Sequence, residues 1–384
     1  MRVVVVSLDP GVPVFGAKGC SVHVQEVLRV LVRRGDDVHV VTTRVGGPPP
    51  PGLDTVTVHP LTLPAGRTAA EREGDLVDAD ARAAVLVADL LAGAPDALVY
   101  ERYALFGCGA QETAHRLGVP AVLEVNAPLP LEQARHRSLT DVVGADERTG
   151  RALRAATRVV AVSTPVADWV RSVADVADLR VVPNGVDLAR FTPAAARTGE
   201  PLTIAFVGAF RPWHGVDLLV EAAGRLTALP GPAFALLLVG DGPSRAAALA
   251  RAAELGVAVR APGAVAPDRV PAELATADVA CAPYPAGRAY FSPLKIAEYL
   301  ACGLPTVAAA VGDLPVSYAD GTELLLTAPG DLDALTAALQ RVRTDPALRA
   351  ALARDGRRAV VERFGWDRAV DASLTGLTRT EVLA

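Results

Sequence analysis

The chain has 384 residues, enough for roughly two to three domains of average size. Hydrophobic residues make up 51% and charged residues 21%, which excludes a disordered chain and predicts sizeable cores. The formal net charge of -5 argues against nucleic acid as a partner. Only two of the 38 basic residues are lysines, Lys18 and Lys295. Lysine and arginine are not interchangeable at a shaped anion site, so each lysine is a candidate anion contact.

Targeting signals are not found in this sequence. The apolar run Val3–Val6 is too short for the core of a signal peptide, and no apolar stretch is long enough to predict a membrane-spanning helix. The four cysteines are far apart and show no CxxC spacing, so we expect them to be reduced: Cys20, Cys108, Cys281 and Cys302. The expected location is the cytoplasm.

The first half of the chain alternates between strands and helices. The β-branched run at 3–6 predicts a buried parallel strand, and a glycine-containing loop leads from it to a helix over 21–34 and a strand over 38–42. This is a βαβ unit. Further strands are predicted at 97–100, 121–125 and 159–162, and further helices at 81–91, 109–117 and 144–156.

A Pro/Ala/Gly/Thr-rich stretch at 192–201 reads as a linker, after which the same alternation restarts. Strands are predicted at 202–207, 234–239, 257–260, 279–283 and 306–309, and helices at 216–226, 244–255 and 293–302. The fold class is therefore α/β, with two doubly wound Rossmann-like domains. Ligands bind at the carboxyl ends of the strands in such sheets, so two facing domains would form an interdomain cleft.

Two strand–helix loops carry candidate anion contacts. The first contains Gly16, Lys18 and Gly19, where glycines allow a close backbone approach and the following helix N-terminus favours an anion. It lacks the GxGxxG spacing of a nicotinamide site. The second follows Gly208 and brings Arg211 and His214 to the mouth of the second sheet, where a phosphate contact is predicted.

The segment from Tyr290 to residue 305 is the most informative. Ser292 predicts an N-cap and Pro293 a first helical position, so the free N–H groups from Leu294 onward are available to a ligand. Lys295 in the first turn opposes the helix dipole and calls for a compensating anion, such as a diphosphate. Glu298 lies one turn further on, where its carboxylate is suited to accept hydrogen bonds from a ribose diol.

The second half resembles the retaining glycosyltransferases of family 4, which have the GT-B fold. The matching segments lie at 182–187 (VPNGVD), 206–222, 236–243, 292–308 and 364–366. The resemblance implies a nucleotide-sugar donor held by the C-terminal domain and an acceptor held mainly by the N-terminal domain. It also implies a final helix that packs back on the N-terminal domain. We therefore predict domains at 1–195 and 196–365, with the final helix in 366–384.

The second half departs from the family's pattern at three positions. The family has two glutamates separated by seven residues; Glu298 matches the second, and Tyr290 stands in place of the first. Ala209 replaces an arginine, and His214 replaces a lysine. Arg211 and Lys295 are the candidates to stabilise the departing diphosphate in their place.

In the N-terminal domain, Asn126 stands where the family has a histidine near the donor sugar. An amide can hydrogen-bond a sugar hydroxyl but cannot act as a base. Glu101 is the first choice for a carboxylate that orients the acceptor hydroxyl, and Glu124 is the second; a structural ion pair is the alternative for each. His136 is a further candidate contact for the acceptor.

No metal and no cofactor are expected. The residues Asp78 and Asp80 imitate a DxD metal motif but fall within a helical pattern. Four arginines at positions 148, 151, 154 and 158 predict a basic stripe on one helix, which leaves open a weak contact with an anionic membrane. A homodimer is also left open.

The leading hypothesis is a metal-independent, retaining transfer of a hexose or aminosugar from a nucleotide-diphosphate sugar, with UDP expected first, to a small-molecule acceptor. The acceptor attacks on the face that the diphosphate leaves, and the departing phosphate takes its proton. Two alternatives remain: a sugar-nucleotide 2-epimerase of the same fold, and a non-catalytic subunit that binds nucleotide sugars. The acceptor, the sugar and the base are not defined by the sequence.

Overall fold

A computed structural model describes residues 1–65, 68–194, 201–287, 290 and 292–377, with the side chain of residue 136 excepted. The chain divides into two compact units. The first contains the described residues of 1–184, 290–292 and 366–384, and the second those of 185–289 and 293–365. The boundary predicted between residues 195 and 196, and most of the predicted linker, lie outside the described residues.

The first unit is built on a seven-stranded sheet in the order β3-β2-β1-β4-β5-β6-β7. All its strand pairs are parallel. Its strands are β1 (Arg2–Ser7), β2 (Asp37–Thr42), β3 (Thr57–Pro60), β4 (Ala97–Arg102), β5 (Ala121–Val125), β6 (Arg158–Ala161) and β7 (Leu179–Val181). Its helices are α1 (Gly19–Arg33), α2 (Ala69–Leu91), α3 (Gly109–Leu117), α4 (Leu129–His136), α5 (Val142–Ala155) and α6 (Thr164–Val173).

The second unit has a six-stranded parallel sheet in the order β10-β9-β8-β11-β12-β13. Its strands are β8 (Leu202–Val207), β9 (Phe234–Val239), β10 (Val259–Gly263), β11 (Val279–Ala282), β12 (Thr306–Ala309) and β13 (Leu325–Thr327). Its helices are α7 (Val216–Thr227), α8 (Arg245–Glu254), α9 (Val270–Leu274), α10 (Leu294–Ala301), α11 (Leu314–Ser317), α12 (Leu332–Thr344) and α13 (Pro346–Arg363). The predicted α/β fold class, with two Rossmann-like sheets, is confirmed.

Helix α2 begins twelve residues before the predicted start at 81. Its N-terminus is fixed by a capping box, in which Thr68 accepts from the Glu71 N–H and Glu71 accepts from the Thr68 N–H. The polar residues that follow the box hide the apolar periodicity of the first turns. The apolar pattern therefore predicts a helix start that lies too far along the chain.

The last described helix, α14 (Trp366–Leu374), belongs to the first unit and packs against α1. Ion pairs join Arg33 to Asp367 and Arg34 to Asp371, each at 2.8 Å. The buried Arg158 guanidinium donates to the last carbonyls of the helix, which satisfies groups that a helix C-terminus leaves unpaired. No helix in the described part of the chain combines the length and apolar character needed to cross a membrane.

The predicted basic stripe is wrong. Arg158 lies in β6, where its side chain is 2% exposed and pairs with Asp178 at 2.6 Å. Arg148, on α5, instead reaches the buried carboxylate of Asp80 at 3.2 Å. Because Arg158 lies on β6 and both Arg148 and Arg151 pair with carboxylates of the same unit, the four arginines do not form one unpaired stripe, and the argument for a membrane contact falls with it.

Candidate active site

The first turn of α10 differs by one residue from the prediction. Pro293 is the N-cap and Leu294 is the first helical residue. Ser292 is not the cap, because its Oγ accepts from the Asn184 N–H at 3.1 Å and its carbonyl accepts from Asn184 Nδ2 at 2.8 Å. The prediction that Ser292 is the N-cap is therefore wrong. Its hydrogen bonds to Asn184 hold the segment that precedes α10.

Lys295 projects from this first turn into an apolar, aromatic environment. Its Nζ lies 4.4 Å from the centre of the Phe206 ring and 5.5 Å from that of Tyr284. Nζ is buried, and none of the described residues offers it a hydrogen-bond acceptor. Burial lowers the pKa of Lys295 to about 7, although the carboxylate of Glu298 acts in the opposite direction. A buried ammonium without an acceptor is costly, and a bound anion would stabilise it.

Gly208 leaves the space that the lysine occupies. A Cβ at this position would lie 2.7 Å from Lys295 Nζ, and the residue has a φ of +154°, which favours glycine. Gly208 follows β8, and Tyr284 follows β11. These strands are neighbours where the strand order reverses, which is where doubly wound sheets bind ligands. We call Lys295, Gly208, Phe206 and Tyr284 the lysine site.

His214 and Arg211 lie beside the lysine site, at a single turn of 3-10 helix. Because a carbonyl can only accept, His214 Nδ1 carries a proton and donates it to Ala209. Burial, followed by the charge of Lys295, lowers the pKa of His214 to about 4. In the ligand-free protein at neutral pH its Nε2 is then an acceptor, so the phosphate contact predicted for His214 requires the ring to take up a proton when the phosphate binds. Arg211 is exposed, with its guanidinium 5.8 Å from the Trp213 ring.

Glu298 lies one helical turn after Lys295, as the sequence predicts, and is partly buried. Both side chains come from the first turns of α10, and the negative charge of Glu298 acts to raise the pKa of Lys295. Leu294, Lys295 and Glu298 thus follow one another on a helix whose N-terminus is at the ligand-binding edge of the second sheet. The arrangement can hold an anion beside a hydrogen-bond acceptor.

The glycine loop of the first unit leads directly into α1. Lys18 is the N-cap of α1, is exposed, and donates from Nζ to the Gly11 carbonyl at 3.4 Å. Gly19 begins α1. Gly16 is needed for close packing, because a Cβ there would lie 2.8 Å from Ser21 Oγ. The loop keeps a helix N-terminus exposed, and Lys18 remains available at the surface.

The sequence predicted only part of a buried cluster at the carboxyl end of β5, namely Glu124 and Asn126. His23 Nε2 lies 2.8 Å from both carboxylate oxygens of Glu124, and Tyr100 donates its hydroxyl proton to Oε1 at 2.8 Å. Asn126 donates from Nδ2 to Oε2 at 3.2 Å. We call Glu124, His23, Tyr100 and Asn126 the Glu124 centre. The signal for His23 was a polar residue on the apolar face of α1, close to Val24 and Val27 in sequence.

Burial acts to raise the pKa of Glu124, but the electrostatic effect of His23, its hydrogen bond and the charge of Arg102 outweigh burial and lower this pKa to about 2. The carboxylate is therefore ionised throughout the physiological range. Arg102 Nη1 lies 4.0 Å from Glu124 Oε2. The centre is a negative charge enclosed by donors.

Glu101, the first choice for orienting the acceptor, lies elsewhere. It is on β4 next to Tyr100, so its side chain points to the opposite face of the sheet, where Oε2 accepts from Gln111 at 3.0 Å. It is 1% exposed, and burial followed by the charge of Asp80 raises its pKa to about 8. A carboxyl buried beneath α3 does not face a substrate, so Glu124 takes its place as the candidate.

Asp80 is a structural residue. It lies within α2 and accepts hydrogen bonds from the N–H groups of Cys108 and Gly109 at the start of α3. Within the described ranges, no cluster of three or more His, Cys, Asp or Glu residues could hold a metal ion. The side chain of His136 lies outside the described residues.

Comparisons with known proteins agree with the fold. The family model described as Glycosyltransferase Family 4 matches residues 17–190, and the one described as Glycosyl transferases group 1 matches residues 201–345. D-inositol 3-phosphate glycosyltransferase from Salinispora arenicola is 31% identical over 394 residues, covering 93% of this chain and 86% of the relative.

Two solved structures share the fold. Sucrose-phosphate synthase from Thermosynechococcus elongatus has a TM-score of 0.71 at 22% identity, covering 96% of each chain. Anabaena HepE in complex with UDP-glucose has a TM-score of 0.71 at 20% identity, covering 98% of this chain and 100% of HepE. The chain belongs to glycosyltransferase family 4 and has the GT-B fold. It is a glycosyltransferase.

Proposed function

We propose that the enzyme transfers a hexose or aminosugar from a nucleotide-diphosphate sugar, UDP first among them, to a small-molecule acceptor with retention of configuration. The observation that carries the proposal is the buried Lys295 ammonium, which lacks an acceptor among the described residues. A diphosphate would supply that acceptor, and its negative charge grows as the sugar leaves. Lys295 would therefore bind the transition state more tightly than the ground state.

The remaining roles follow from position. Arg211 adds a second cation for the diphosphate, and Glu298 accepts hydrogen bonds from the ribose hydroxyls. Gly16, Lys18 and Gly19 offer a helix N-terminus and a cation to a phosphate or to an anionic acceptor. Asn126 hydrogen-bonds a sugar hydroxyl. In the reaction, the bond between the anomeric carbon and the phosphate oxygen breaks, the acceptor oxygen bonds to that carbon, and its proton passes to the departing phosphate.

The relatives named D-inositol 3-phosphate glycosyltransferase support a small acceptor, and the HepE complex with UDP-glucose supports a UDP-sugar donor. In this proposal Lys295 and Arg211 provide the positive charge at the leaving group, so no metal ion and no cofactor are required. We expect activity to survive chelation of divalent ions.

The test is a screen of nucleotide sugars by thermal shift, followed by transfer assays with the best donor, inositol phosphates, other polyols and thiol-bearing acceptors. The proposal expects a glycosylated product whose anomeric configuration, read by NMR, equals that of the donor. An inverted product would overturn the retaining assignment. Epimerised donor in the absence of acceptor would instead show an epimerase, and tight donor binding without transfer to any acceptor would show a non-catalytic subunit.

A further inference from the structure

The Glu124 carboxylate determines which way the amide of Asn126 faces. Glu124 is 5% exposed, and an ionised carboxylate can only accept hydrogen bonds. The Asn126 atom 3.2 Å from Glu124 Oε2 must therefore be Nδ2, because a carbonyl oxygen there would meet another acceptor. The carbonyl Oδ1 then points away from the carboxylate. Without such a partner, an asparagine amide can exchange the positions of its oxygen and nitrogen, because the two ends have nearly the same shape.

His23 fixes the carboxylate in turn. Its Nε2 lies 2.8 Å from both oxygens of Glu124. The residue is 2% exposed, and its ring meets the Trp366 ring edge-on at a centroid distance of 4.9 Å. Tyr100, 3% exposed, holds Oε1 from β4. The hydrogen bonds from His23 and Tyr100 thus come from buried side chains, whereas Asn126 is only partly buried. Asn126 is the member of the centre that extends toward the carboxyl edge of the sheet.

We propose that Glu124 is a positioning residue that acts through Asn126, with His23 holding the carboxylate in place, so that Asn126 presents its carbonyl oxygen to a hydroxyl group of the substrate. This inference rests on the proposed function. The inference adds the direction of one hydrogen bond to the proposed function: the substrate hydroxyl donates, and Asn126 Oδ1 accepts. A ligand with a hydroxyl at that point is selected over one with an ether or a deoxy carbon, because Oδ1 would otherwise lose its partner.

The test exchanges the carboxylate of Glu124 and the amide of Asn126 between the two positions. N126D places two carboxylates together, and we expect transfer to fall about 10-fold to 100-fold because like charges at this distance repel. E124Q alone frees the Asn126 amide to turn over, and we expect about a 10-fold loss of kcat/KM. In the double variant E124Q/N126D, the amide introduced by E124Q donates to the carboxylate introduced by N126D, which still presents an oxygen to the substrate. The double variant should be more active than N126D.

A purely structural role for Glu124 would give the opposite result, with losses in the two single variants that multiply in the double variant. That outcome would overturn the proposal. D80N is the matched control, because it changes another buried carboxylate of the same unit, one whose hydrogen bonds go to Cys108 and Gly109 at the start of α3. Combined with N126D, it should give independent effects.

A second readout does not depend on the folding of E124Q. The carboxyl that N126D introduces beside Glu124 will have a raised pKa, because a neighbouring negative charge favours its protonated form. Once protonated, this carboxyl donates to Glu124 as the Asn126 amide does. The groups that face Glu124 are His23, Tyr100, Arg102 and Asn126. The activity of N126D relative to wild type should therefore recover as the pH is lowered, whereas that of N126A should not.

If the ratio of N126D to wild-type activity does not change with pH, the inference is wrong. If the wild-type enzyme transfers no sugar at all, the proposed function fails, and the pair is judged by urea unfolding instead. There, E124Q should relieve the loss of stability caused by N126D if the two side chains are coupled as proposed. Additive losses of stability would again overturn the coupling.

Discussion

Gly208 and Lys295 share one small volume: a side-chain carbon on residue 208 would lie 2.7 Å from the lysine ammonium. The glycine comes from the end of a strand, and the lysine comes from a helix much later in the chain. Neither residue explains the site alone. The absent side chain at one position is what allows the charged side chain at the other to reach the ligand-binding edge of the sheet.

The variant G208A should lose donor affinity by about 10-fold or more, because the added methyl displaces Nζ and a charge-assisted hydrogen bond is lost. The measurement is calorimetric titration with UDP and with UDP-sugars. G256A is the matched control: Gly256 also has a positive φ of +68°, but apart from its two chain neighbours no described residue has an atom within 4 Å of an added Cβ. It should lose some stability and no affinity. Equal donor binding by wild type and G208A would contradict the prediction.

The variant K295A should reduce turnover by about 100-fold to 1,000-fold, since a preorganised charge at the leaving group is removed. K295R should not restore activity, because the larger guanidinium must fit between Gly208 and the rings of Phe206 and Tyr284. Steady-state kinetics would separate kcat from KM. R225A, which removes an exposed arginine paired with Asp333, serves as the control and should remain active. A K295A variant with near wild-type turnover would remove Lys295 from the mechanism.

Donor affinity should depend on pH through Lys295. Its pKa in the free protein is about 7, below the usual 10.5, and a bound diphosphate raises it by favouring the ammonium. The ligand-free lysine is largely protonated below pH 7, so affinity there is nearly constant. Above pH 7 binding must draw a proton from solution, and affinity falls as the pH rises.

Titrations of a UDP-sugar between about pH 6 and pH 9 would measure this dependence, and comparison of buffers with different ionisation enthalpies would count the protons taken up. The K295A variant should bind weakly with little pH dependence over the same range. Proton uptake by the wild type that persists in K295A would assign the effect to a different group.

Stability should also respond to pH through the buried Glu101. Its pKa in the folded protein is about 8, above the usual 4.5, so the folded state binds more protons than the unfolded state between these values. The contribution of Glu101 to the free energy of unfolding is fully present below about pH 4.5 and is lost as the pH rises toward 8. E101Q should remove this loss. Urea unfolding at several pH values would show a smaller decline for E101Q than for wild type, and parallel declines would contradict the prediction.

The sequence predicted the elements whose patterns are local. The β-branched run at 3–6 and the apolar strands at 202–207 and 306–309 identified buried parallel strands, and their alternation with helices gave the fold class. Lys295 and Glu298 stood out as candidate site residues because a charged residue in an apolar helix is unusual. Short edge strands such as β3 and β7 were missed, because their few residues carry no clear periodicity.

The parts of the candidate site that the sequence did not predict depend on contacts between residues far apart in the chain. His23 and Glu124 are 101 positions apart, and only the packing of α1 on the sheet brings them together. Glu101 and Tyr100 are neighbours in sequence, but the pleat of β4 turns one toward α3 and the other toward the Glu124 centre. Ser292 had the spacing of an N-cap, yet Asn184 already occupied its hydroxyl. No local rule contains this information.

The placement of α14 in the first unit has a consequence for biosynthesis. Trp366 packs edge-on against His23, so the first sheet is not fully covered until residues near the end of the chain have been made. The whole second unit emerges from the ribosome before that happens. A nascent first unit therefore waits with the His23 surface incompletely buried, and an arrest or a cut before residue 366 would leave it permanently so, exposed to proteolysis and to aggregation.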